Sequence, residues 1–198
     1  MLIPIIVFVA CFLIFFFILG AQRKLESKKD IYYNRLKEEY QAEVLKNKSA
    51  LLSGRTYHAR GQYQGTGFSV FEERRKTGRN RSNFTIIRFP SIGPVDFRIA
   101  KENFLTRMGK LIGFNDIEFN DYDIDRTFLF KSKDEKGFRT LMDHRRLNEL
   151  AQRKESFDGA LEGSGNYLQY VFRGQITDEN AYDNVQSLMK LLYEFGKS

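Results

Sequence analysis

From Leu2 to Leu19 the chain carries no charged side chain, and then Arg23, Lys24, Lys28 and Lys29 arrive within seven residues. As a helix that apolar run would rise roughly 27 Å, close to a hydrocarbon core of about 30 Å. The pattern therefore predicts a transmembrane signal anchor over residues 1–21. It is expected to stay uncleaved, because no basic residue precedes the run and Leu19-Gly20-Ala21 is a poor cleavage site. Basic flanks stay on the cytoplasmic side, which places a single-pass protein in the inner (plasma) membrane with its C-terminal domain in the cytoplasm.

After Gln22 the composition turns charged, with a sparse apolar stripe at Tyr33, Leu36, Tyr40 and Val44. Spacings of three, four and four are helical. Helix formers dominate and no Gly or Pro intervenes before Gly54, so residues 22–54 are expected to continue the first helix as a stalk. A stripe this narrow suits either a coiled-coil seam, giving a homo-oligomer, or a helix resting on its own domain.

Residues 55–198 are long enough for one core. Thr56–Gln64, Gly67–Arg74, Asn83–Phe89 and Val95–Ala100 are rich in Phe, Tyr, Ile and Val and bounded by Gly, Asn and Pro, and they read as meandering strands. Phe104, Leu105, Met108, Leu111 and Ile112 share a helical face, with an edge strand as the alternative for so short a piece, and Thr127–Lys131 reads as a strand. Lys133–Lys154 carries apolar residues at helical spacing, as two helices broken near His144. Phe157–Leu161 and Tyr167–Phe172 form a hairpin, and Thr177-Asp-Glu-Asn180 opens a last helix through Ala181, Val185, Leu188, Leu192 and Phe195. The fold class is α+β: a strongly bent antiparallel sheet with helices on one side, of a kind that would suit a pleckstrin-like arrangement.

The formal net charge of +7 owes much to Arg74-Arg-Lys-Thr-Gly-Arg-Asn-Arg81, where Arg74, Arg75, Lys76, Arg79 and Arg81 place five cations in eight residues. Clustered guanidinium groups bind phosphates of anionic lipid or nucleic acid, or an acidic partner, while Glu72 and Glu73 beside them could instead answer the charge. Nucleic acid is disfavoured, because Phe71, Phe84 and Phe89 read as core rather than as stacking platforms. The second cluster is acidic. Asp121, Asp123 and Asp125 alternate as if to converge on a hard cation, yet an EF-hand count puts Arg126 where the turn needs Gly and Ser132 where the bidentate Glu belongs. A solvated acidic turn is the simpler reading. Only His58, His144 and Cys11 exist as further ligand types, which excludes a Cys/His zinc site and a cysteine nucleophile in the domain, and no cofactor is expected. The glycines between Gly61 and Gly67 read as a turn between strands.

Gly109-Lys-Leu-Ile-Gly113, Asp116-Ile117, Asp125-Arg126, Phe128, Phe130, Ser132 and Asp134, with Arg139 and Leu141 beyond, resemble a domain found in uncharacterised bacterial membrane-anchored proteins. That family would carry Gly at the place of Asn120 and Phe at the place of Ile124, and the resemblance implies no reaction or ligand. The expectation is a membrane-anchored, non-enzymatic binding or scaffold protein presenting a cytosolic domain to a protein partner. Its alternatives are a cation- or ligand-binding enzyme domain using the acidic segment, and a phosphate-binding surface at the basic hairpin.

Overall fold

The computed structural model describes residues 2–48, 55–77, 80–101, 104 and 114–197, with α1 side chains described at residue 7 and from residue 10 onward. Helix α1 (Leu2–Tyr40) is followed by β1 (Glu43–Lys48), β2 (Arg55–Tyr63), β3 (Thr66–Thr77), β4 (Asn80–Phe89), β5 (Phe97–Ala100) and β6 (Asn115–Ile117). Then come α2 (Tyr122–Thr127), β7 (Leu129–Ser132), α3 (Glu135–Leu141), α4 (His144–Gln152), β8 (Gly159–Ser164), β9 (Tyr167–Arg173) and α5 (Glu179–Gly196). The nine strands make one sheet in the order β1-β2-β3-β4-β9-β8-β5-β7-β6, with antiparallel pairing throughout. This is the α+β architecture read from the sequence.

Local signals set the elements. Gln64 and Gly65 both adopt positive φ between β2 and β3, the backbone of a two-residue hairpin turn whose twist matches its strands. Asp134, Asp143 and Asp178 each cap a helix, accepting from the backbone N–H of Gly137, Arg146 and Ala181. The break expected near His144 falls at Met142-Asp143, between α3 and α4.

Alternation along the strands gives the sheet two unlike faces. One carries Tyr57, Val70, Ile87, Tyr170, Leu161, Ile99 and Phe130, which share a core with Tyr33 and Leu36 of α1, Phe138 of α3, Leu150 of α4 and the inner side of α5. Helices α1 to α5 are thus gathered on one side. Across the sheet, Phe84, Ile86, Ala100, Phe104, Ala160 and Val171 form a second, smaller cluster. Leu105, Met108, Leu111, Ile112 and the Gly109–Gly113 segment lie outside the described residues.

Two expectations about the N-terminal region are corrected. Among the described residues no helix is long and apolar enough to cross a membrane. The transmembrane anchor, and the single-pass inner-membrane location drawn from it, are overturned on that finding. The stalk is the second. Helix α1 ends at Tyr40, Gln41 takes a positive φ, and residues 43–48 turn back as the edge strand β1 on β2. Tyr33 and Leu36 are fully buried, so the helical stripe rests on its own domain. Gly61 lets the two meet: a Cβ there would lie 2.9 Å from the Tyr40 carbonyl oxygen.

Candidate functional site

Three constellations stand out once the fold is in place. The first is the joint between α1 and the sheet. Lys29 Nζ lies 2.7 Å from Glu72 Oε2 of β3, with side chains 2% and 1% exposed, and Gln175 Nε2 donates to the same oxygen at 3.2 Å. Lys29 also sits over the Tyr57 ring, 5.1 Å from its centroid, and Tyr57 stacks on Tyr33 at 4.7 Å and donates to Asp30 Oδ1. Burial lifts the Glu72 carboxyl above its ordinary range, and the Lys29 ammonium pulls it back. Farther along, Arg35 pairs with Glu179 of α5 and stacks over Tyr182, while Tyr182 and Gln186 donate to Glu39. The helix is therefore fixed to the body by polar contacts along three turns. Beyond that joint its N-terminal arm leaves Leu13, Ile14, Phe15, Phe16, Phe17 and Ile18 exposed by 42–79% each.

The second constellation crosses the sheet on the face away from the helices. Arg98, Glu162, Gln169 and Arg88 occupy directly opposed positions on β5, β8, β9 and β4. Arg98 Nη2 lies 2.7 Å from Glu162 Oε1, and Gln169 Nε2 donates to Glu162 Oε2 at 2.7 Å. Arg88 donates through Nε and Nη2 to Gln169 Oε1 at 3.0 and 2.8 Å. The Arg88 guanidinium is held between two rings, 5.0 Å from the Phe71 centroid and 4.4 Å from that of Tyr167. Gln169 and Glu162 are buried, and the Arg98 side chain is 15% exposed. Arg98 and Glu162 line a groove of about 340 Å³ together with Phe114, Tyr167, Asp96 and Asn166. Each of these four polar residues sits alone in an apolar strand segment, and that isolation was the signal available in the sequence.

The third is the basic hairpin, where residues 74–77 of β3 pair with 80–83 of β4. Arg74 and Arg81 are exposed, whereas Arg75 pairs with Glu73 at 2.7 Å and lies over the Phe84 ring. The main chain of Lys76 is in β3, and Arg79 lies outside the described residues. Of the two neighbouring acids, Glu73 answers the hairpin and Glu72 is committed to Lys29.

The acidic segment is used by its own backbone. Asp121 caps α2, accepting from Asp123 N and Ile124 N, and Asp125 accepts from Phe119 N and Asp121 N. Asp123 is exposed. Among the described residues no group of three or more His, Cys, Asp and Glu side chains is placed to hold a metal ion. The chemistry present is that of a loop held by backbone N–H groups donating to its own carboxylates.

Comparison with protein-family models gives no match, and neither does comparison with curated proteins. Among solved structures, the crystal structure of the mycobacterial trehalose monomycolate transport factor A, TtfA, is similar over 88% of this chain and 93% of that one. The TM-score is 0.59 at 10% sequence identity. The likeness is one of fold. It extends over nearly the whole of both chains, so it concerns the sheet and its helices together rather than a shared fragment.

Proposed function

We propose that this chain is a non-enzymatic binding protein whose α1 arm docks into an apolar surface of a protein partner, carrying the α+β body with it. One observation carries the reading: six consecutive large apolar side chains, Leu13 to Ile18, stand exposed on a helix. At about half exposure they present roughly 600 Å² of apolar surface, at or above the largest patch of an ordinary monomer. The buried Lys29–Glu72 pair and the Arg35–Glu179 pair support it, because an arm fixed to the body transmits position as well as attachment. The packing of α5 against one face of the sheet supports the pleckstrin-like description.

The test is cross-linking in intact cells with a photoactivatable residue at Phe16 or Phe17, and at exposed Asp123 on the body as control. Discrete protein adducts from the arm positions, lost when Phe16 and Phe17 are both changed to Asp, are the expected result. Adducts of equal yield from Asp123, or none from the arm, would sink the proposal.

A further inference from the structure

The groove beside Arg98 is a second site, independent of the arm. We propose that it binds a small monocarboxylate with an aromatic or apolar body, the carboxylate on the Arg98 guanidinium and the body between Phe114 and Tyr167. Charge balance points that way. The chain Arg98–Glu162–Gln169–Arg88 holds two guanidinium groups and one carboxylate. At the Arg98 end of the row, Lys133 pairs with Asp96 and Lys131 with Asp116, while at the Arg88 end Arg60 donates to the neutral ring of His58 and adds no carboxylate. A mostly buried set is thus one negative charge short, and buried charges are normally paired.

Geometry selects the ligand class. Arg98 engages Glu162 through Nη2, which leaves guanidinium N–H groups for a planar two-oxygen acceptor in a fork arrangement. Glu162, the ion-pair partner of Arg98, is itself held by Gln169, and Gln169 in turn by the ring-clamped Arg88. That preorganisation lowers the ordering cost of binding. The groove, about 340 Å³, is at the small end of ligand pockets. A phosphate dianion overshoots the row's single surplus charge beside the Asp96 and Glu162 carboxylates, whereas a monoanion balances it.

Benzoate is the probe, titrated into the full chain, with phenyl phosphate as the competing arm and amide and Arg Nε–H shifts as the readout. Saturable shifts at Arg98, Gly163 and Tyr167 are expected, with a dissociation constant of about 1 mM or below and phenyl phosphate at least about tenfold weaker. Arg98→Lys keeps a cation opposite Glu162 but loses the fork, and should weaken benzoate about tenfold at unchanged melting temperature. Should that variant melt early, Tyr167→Leu carries the test, with a several-fold loss expected from removing the ring wall. No saturation by about 20 mM overturns the site, as does wild-type affinity in the variant of unchanged fold or shifts confined to the basic hairpin. Equal affinity for phenyl phosphate overturns the monocarboxylate assignment.

Discussion

Replacing Lys29 by Met would leave the Glu72 carboxylate buried opposite a thioether of similar length, with Gln175 as a hydrogen-bond donor to it. At 2.7 Å the pair's gross attraction is about 6 kcal/mol at an effective dielectric near 20, most of it offset by desolvation of both ions. Removing one partner leaves the desolvation of the other uncompensated, so a loss of about 3–5 kcal/mol of stability is expected at pH 7. The pH dependence gives the argument its sharper edge. Burial already places the folded carboxyl above its ordinary value of 4.5, so the stability linked to its neutral form is complete below that value and is lost as pH rises through the folded pKa. Without Lys29 the opposing pull disappears and the folded pKa rises further, carrying that window toward neutrality. Urea unfolding followed by far-ultraviolet circular dichroism at pH 5 and pH 7 measures both effects. Lys29→Met should recover part of its loss at pH 5, adding Glu72→Gln should remove the recovery, and the double change to Met and Leu should return near wild-type stability. A cost below about 1 kcal/mol at pH 7, or an equal cost at both pH values, would refute the reasoning.

Arg146 is buried and donates to the carbonyls of Phe195, Leu141 and Lys197, closing the end of α5, so Arg146→Met should cost about 3 kcal/mol or more and lower the melting temperature by several degrees. The Tyr33 hydroxyl is fully buried with no hydrogen-bond partner among the described residues, and Tyr33→Phe should be neutral or stabilise by about 1 kcal/mol in the same urea assay. Asp121→Ala removes the α2 cap, and a loss of about 1 kcal/mol is expected, equal in calcium and in chelator when melting curves are compared.

Much of the body was legible in the chain because it depends on neighbours in sequence. Strand alternation from β2 to β4, the turn between Gly61 and Gly67, the capping start at Thr177-Asp-Glu-Asn180 and the helical face of α5 are local signals, and each of these appears within a few residues of where the sequence puts it. The stripe Tyr33, Leu36, Tyr40 was equally plain, but whether it faced a second copy or its own sheet was not, since an apolar face shows that something covers it without showing what. For Asp121 and Asp125, spacing suggested ligands, while the folded loop turns both carboxylates onto its own N–H groups.

By itself the sequence determined the α+β class, most strands and helices of the body, the apolar first helix and the basic hairpin, because these follow from periodicity and composition over short windows. The tertiary structure alone decided that Glu72 answers Lys29, 43 residues away, and that Arg98, Glu162, Gln169 and Arg88 meet in one row. Strand order and register are long-range properties. One strand shows only that a polar residue interrupts an apolar face, and its partner is fixed when the sheet assembles and burial forces each charge to find its counterpart.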